Sequence, residues 1–146
     1  SGLRQKVIEW VRLKTEGYPG INIVDLSTSF EDGLAFCALI NAIYPGLIDY
    51  AQLTPSRAND NLRLAFSAAA QYLGIPALLD AADFMNADPN CRPDERCIMA
   101  YLLQFPGAEK RFRDAMLAHQ HQQSGHTGAV QGGEIMPQPT QPTRNP

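Results

Sequence analysis

Leu3, Val7, Trp10 and Val11 fall along one side of a helical wheel, while Gln5, Lys6, Glu9 and Arg12 fall on the other. That pattern predicts an amphipathic helix over 3–14. "EGYPGIN" ends it, because Gly17, Pro19 and Gly20 all favour turns. "INIVDL" alternates briefly, but no second strand-like run follows to pair with it, so it reads as an extended connector. The stretch after Asp32 breaks the amphipathic rhythm: ten of the eleven residues from Leu34 to Tyr44 are apolar, Asn41 being the exception. A membrane-spanning helix needs about 20 such residues, and Pro45-Gly46 ends this run at half that length. A helix apolar on every side and too short to span is expected at the centre of a globule. Ser29 and Asp32 have the spacing of a capping box, with Glu31 and Asp32 in the first turn. Gly33 there implies a close approach of another backbone.

"GLIDYAQL" follows as a loop with buried apolar residues. Pro55 after Thr54 suits the first turn of a third helix. Ala58, Leu62, Ala65, Phe66, Ala69 and Leu73 supply its stripe, and Gly74 and Pro76 its end. "ALLDAADF" predicts one short helical turn and "NADPNC" a polar loop. Pro93, Asp94 and Glu95 then open a further helix that turns Ile98, Met99, Leu102 and Phe105 inward. Pro106-Gly107 is expected to interrupt it, leaving a short amphipathic helix on Phe112, Ala115 and Met116. Four substantial helices and no sheet make an all-α bundle with short connecting helices. Its core is expected to include Trp10, Phe36, Leu39, Ile40, Phe66, Leu73, Ile98 and Leu102.

Composition changes along the chain more than it characterises the whole. From His119 to Pro146 there are six Gln, four Pro and four Gly, with no aromatic residue. Such a segment buries too little apolar surface to offset its ordering entropy. The division is therefore a folded domain over 1–117 and a Gln/Pro/Gly-rich disordered linker or tail over 118–146. A net charge of −3 gives no electrostatic ground for nucleic-acid binding. Three cysteines without CxxC spacing, Cys37 inside the apolar helix, predict a reduced, cytoplasmic chain with no disulfide framework and no zinc site. His119, His121 and His126 all fall in the Gln-rich segment, which leaves the folded part no imidazole for a Ser-His-Asp or Cys-His arrangement. GxGxxG and Walker-type loops are missing, and the carboxylates sit mostly at helix starts and in loops. No enzyme, cofactor or metal is expected; the chain is expected to bind a partner.

Four blocks, in order, carry a resemblance: "EWVRLKTEGY", "INIVDLSTSFEDGLAFCALINAIYPGLIDY", "NLRLAFSAAAQYLGIPALLDAADF" and "RPDERCIMAYL". Together they resemble the calponin-homology (CH) family from about Leu3 to Phe105. They are most similar to the second CH domain of tandem actin-binding regions of the α-actinin, spectrin and filamin type. The resemblance implies a bundle of four main helices, with DGLAFCALI as the enclosed one. It also implies a cytoskeletal module making a weak or regulatory contact with F-actin inside a larger cross-linking or adaptor protein, beside an adjacent CH domain. The matching outer surface is Gln5, Lys6, Glu9 and Arg12. Lys14 and Tyr18 match a phosphoinositide position, although Glu16 and Pro19-Gly20 depart from the basic character usual there. The other reading is a single CH domain used for protein–protein docking or autoinhibition in a signalling scaffold.

Overall fold

A computed structural model describes residues 2–125, and within them the all-α expectation holds. Six α-helices follow one another: α1 Gly2–Lys14, α2 Leu34–Ile43, α3 Ala58–Leu73, α4 Ala81–Phe84, α5 Glu95–Leu102 and α6 Phe105–Gly125. Single 3-10 turns at Thr28–Phe30, Tyr50–Gln52, Pro55–Arg57 and Pro89–Cys91 shape the connections. Residues 21–23 carry no regular structure and pair with no strand, while the chain bends from Val24 to Ser27.

The apolar run becomes the hub. Every residue of α2 from Phe36 to Ile40 is fully buried, which only a surround of other elements can achieve. α3 approaches most closely, and Gly33 and Asn61 make that approach possible. Gly33 sits at φ +79° in the left-handed region; a Cβ there would lie 2.7 Å from the Asn61 Cβ and 2.8 Å from the Leu62 nitrogen. Asn61, itself buried, donates from Nδ2 to the carbonyls of Asp32 (2.9 Å) and Thr54 (2.8 Å). The Cys37 thiol donates to the Asn61 carbonyl at 3.3 Å. An aromatic cluster packs around α2, where Phe36 meets Phe30, Phe66 of α3 and Tyr101 with ring centroids 4.9, 5.3 and 5.6 Å away. The Tyr101 hydroxyl is enclosed there with no hydrogen-bond partner among the described residues, and burial raises its pKa.

Several local expectations are corrected. α2 starts at Leu34, so Glu31 and Asp32 precede it and no Ser29–Asp32 capping box forms. Ser29 Oγ instead accepts the amides of Val24 and Asp25, while Asp32 accepts the Leu34 amide at 2.9 Å. Leu3 is 49% exposed, although it has the spacing of the α1 stripe. Trp10 is only partly buried against the core; the other seven residues of the expected core are buried. Pro55–Arg57 forms a 3-10 turn, with α3 proper beginning at Ala58.

The largest correction concerns Pro106-Gly107, which opens a helix rather than interrupting one. Pro106 occupies the second position of α6, where its missing N–H would have had no intrahelical acceptor. α6 is long, not short. It continues to Gly125 through His119 and His121, beyond residue 117; His126 and the remaining Gln/Pro-rich segment lie outside the described residues. α6 crosses the ends of three other helices. Phe105 and Ala108 are buried, and the Phe112 ring lies 4.5 Å from that of Tyr44 at the end of α2. Arg111 donates to the Leu73 carbonyl at 3.1 Å, placing a cation at the negative end of α3. Glu109 pairs with Lys14 at the end of α1.

Candidate functional site

α1 is seated by one face and offers the other. Val7, Ile8 and Val11 are buried, and Thr15 Oγ donates to the Val11 carbonyl at 2.8 Å. Two basic residues work inward. Arg4 forms a two-pronged pair with Glu95 (2.7 and 2.9 Å), and the same carboxylate accepts the Leu26 amide at 3.0 Å. One glutamate thus ties α1, the 21–33 connector and α5 together, and the Arg4 and Leu26 hydrogen bonds lower its pKa. At the other end Lys14 pairs with Glu109 and lies 6.0 Å from the centroid of the Trp10 ring.

Gln5, Lys6, Glu9 and Arg12 are all exposed on one outer face, the placement their spacing predicts. Gln5 Nε2 donates to Glu9 at 3.1 Å, so Glu9 lies among the groups flanked by Lys6 and Arg12. Sequence reasoning missed Leu13, which is 66% exposed on this face. Its signal was available, since Leu13 falls outside the Val7–Val11 stripe. The role of Arg4 carried no such signal, because its partner lies 91 residues away.

Lys14 and Tyr18 come to the same end of α1, but both turn inward. Lys14 is held by Glu109. The Tyr18 hydroxyl accepts from Asn41 Nδ2 at 3.1 Å, and its ring stands edge-on to Tyr50 at 5.0 Å. The Tyr50 hydroxyl donates to the Pro19 carbonyl at 2.6 Å; burial, with Asp32, Cys37 and Tyr18 nearby, pushes its pKa up to about 12. These bonds fix the loop after α1.

Among the described residues no three His, Cys, Asp or Glu side chains gather as a metal site. No described helix is long and apolar enough to cross a membrane. A helix enclosed by its neighbours, with polar outer faces, defines a small all-α interaction bundle. The chain belongs to the calponin homology family, whose domain model matches residues 2–111. It is 44% identical to MICAL-like protein 1 of Rattus norvegicus over 105 residues, 72% of this chain and 12% of that protein. It is 44% identical to spectrin beta chain, non-erythrocytic 4, of Homo sapiens over 102 residues, 70% of this chain and 4% of the relative. With the sarcomeric alpha-actinin of Drosophila melanogaster it shares 43% over 99 residues, 68% of this chain and 10% of the relative. The chain therefore spans 4–12% of the length of these relatives.

Proposed function

We propose that this chain is an actin-cytoskeleton binding module, non-catalytic and cytoplasmic, working within a larger cross-linking or adaptor protein. The observation that carries the reading is the family match together with the identity to alpha-actinin and spectrin chains. The outer face of α1, with Gln5, Lys6, Glu9 and Arg12, supplies a weak or regulatory contact with F-actin, and an adjacent CH domain supplies the rest. Actin filaments are acidic, so Lys6 and Arg12 favour contact while Glu9 opposes it. The net attraction is modest and salt-screened. The inward pairing of Lys14 weighs against a phosphoinositide contact at Lys14 and Tyr18.

Co-sedimentation of the chain with filaments, at low and at physiological salt, tests this. Partial retention at low salt should fall at physiological salt and fall further in Lys6→Glu/Arg12→Glu. A chain that never pellets, or a double variant that pellets like the wild type, refutes the α1 contact. The second reading, a single CH domain docking another protein or holding a scaffold autoinhibited, is favoured by one observation. Identity to MICAL-like protein 1 equals that to spectrin. The domain immediately upstream in the parent protein separates the two: another CH domain supports the first reading, and a catalytic or coiled-coil neighbour the second.

A further inference from the structure

The exposed side of α1 carries more than its four polar residues. Leu3, Lys6, Trp10 and Leu13 follow one another by steps of three and four, so at 3.6 residues per turn they fall within about 80° of one another around the helix axis. This strip runs along the edge of the buried face of Val7, Ile8 and Val11. Leu3 is 49% and Leu13 66% exposed, Lys6 is exposed, and Trp10 is only partly covered by the core. Apolar residues at such steps are the spacing by which one helix packs against another. Glu9 lies beside the strip, one turn from both Lys6 and Leu13. Among the described residues no ion pair engages Lys6 or Glu9.

The strip is its own complement when reversed. Leu3 and Leu13 lie five residues either side of Ile8, and Lys6 and Trp10 two residues either side. Against an antiparallel copy, Leu3 therefore comes level with Leu13 and Lys6 with Trp10, each pairing occurring twice. Glu9 comes within one residue, about 1.5 Å along the axis, of Lys6 of the second copy. Apolar meets apolar, an ammonium meets an aromatic ring, and opposite charges meet on the flank. The Trp10 ring already has the Lys14 ammonium 6.0 Å from its centroid, and that charge is paired with Glu109. We propose that the Leu3–Lys6–Trp10–Leu13 strip of α1 pairs with the same strip of a second copy, antiparallel across a two-fold axis. An acidic partner would answer Lys6 but oppose Glu9, and a basic partner the reverse, whereas the reversed strip answers both. A two-fold pair uses the same patch on both copies and closes at two. α1 has 13 residues and is about 20 Å long, so the pair buries less than the roughly 1,200 Å² of a stable interface. The dimer is transient, with a dissociation constant on the order of 0.1–1 mM. Lys6 is shared with the face proposed for filaments, so pairing withholds it from them; the inference itself rests on the register of α1 and not on that reading.

The test is sedimentation equilibrium, with spectra of the 15N-labelled full chain, from about 10 μM to about 2 mM. A monomer–dimer equilibrium is expected, with amide shifts along residues 3–13 that grow with concentration. Each substitution alters two symmetry-related contacts, so Leu13→Ser, Lys6→Glu and Glu9→Lys should each raise the dissociation constant at least about fivefold. Combining Lys6→Glu with Glu9→Lys restores opposite charges across the pair and should associate more tightly than either change alone. All three side chains are exposed, so every variant should keep the wild-type melting midpoint at the lowest concentration. A chain still monomeric at about 2 mM, association that runs past dimers, shifts centred away from α1, or a double variant no tighter than the single ones would overturn the proposal. Retention of a monomeric chain on filaments that Leu13→Ser abolishes would also overturn it, by making the filament the occupant.

Discussion

Replacing Gly33 by Ala asks whether the junction of α2 and α3 is as tight as it looks. Two costs should add. A side chain at positive φ costs about 1–2 kcal/mol, and the φ here is +79°. The new methyl would also lie 2.7 Å from Asn61 Cβ and 2.8 Å from the Leu62 amide nitrogen. The second of these is backbone, so relief requires the two helices to separate, an overpacking cost of about 1–3 kcal/mol. Against this, alanine restricts the unfolded chain and returns about 0.4–1 kcal/mol. The net loss is then about 1–4.6 kcal/mol, a sizeable part of the roughly 5–15 kcal/mol that holds a domain folded. Gly17 provides the control: its φ is +89°, but a Cβ added there would meet nothing within 4 Å. Gly17→Ala should therefore show only the conformational part, about 1 kcal/mol net. Urea unfolding of both variants, at unchanged slope, reads the difference directly. If the two losses agree within about 0.5 kcal/mol, the approach of α3 to Gly33 contributes nothing and the junction is looser than described.

Two further predictions rest on single polar groups. Tyr101→Phe removes a buried hydroxyl that has no partner among the described residues, so the urea midpoint should stay or rise, by up to about 1 kcal/mol of stability; a loss above about 1 kcal/mol would mean that the hydroxyl is satisfied in solution. For Asp25, burial acts to raise the pKa, but hydrogen bonds from the Ser29 and Ser27 amides and the Thr28 hydroxyl outweigh it and lower the value to about 2. A depressed carboxylate pKa contributes stability above the unfolded value, near pH 4, and loses it as pH falls towards 2. Allowing for solvent screening at this partly exposed site, the contribution is about 1–2 kcal/mol. The stability gap between the wild type and Asp25→Asn should be constant above about pH 5 and close between about pH 4 and pH 2; a gap unchanged at pH 2 contradicts the assignment.

How far the fold could be read from the chain depended on whether its cause was local. The burial of α2 was legible because a run of ten apolar residues with one Asn permits no solvent face. The stripes of α3 and α5 were legible for a similar reason: helical spacing reports which side is covered. Helix starts were harder. Ser29 and Asp32 have capping-box spacing, yet the Asp25 carboxylate captures the Ser27 and Ser29 amides and draws the chain into a different turn. Pro106 reads equally well as a stop or a start, and what decides is the burial of Phe105 and Ala108, a tertiary fact. Leu3 and Trp10 have stripe spacing, but whether a stripe residue is covered depends on where the neighbouring helices end. On the outer face of α1 the four polar residues were legible by elimination. The inward use of Arg4 and Lys14 was not, since Glu95 and Glu109 are distant in sequence and nothing local announces them.

The course of α6 across the ends of α1, α2 and α3 has a mechanical consequence. Force applied through its Gly125 end would not reach the aromatic core first. It would load the Phe112–Tyr44 stack, the Arg111–Leu73 bond and the Lys14–Glu109 pair one after another, peeling them like stitches. Each is a modest contact near the surface, so α6 would act as a fuse that yields before the Phe36 cluster is strained. Release of α6 from Glu109 onward would uncover the Tyr44 ring, while the buried Phe105 and Ala108 kept its first turn in the core.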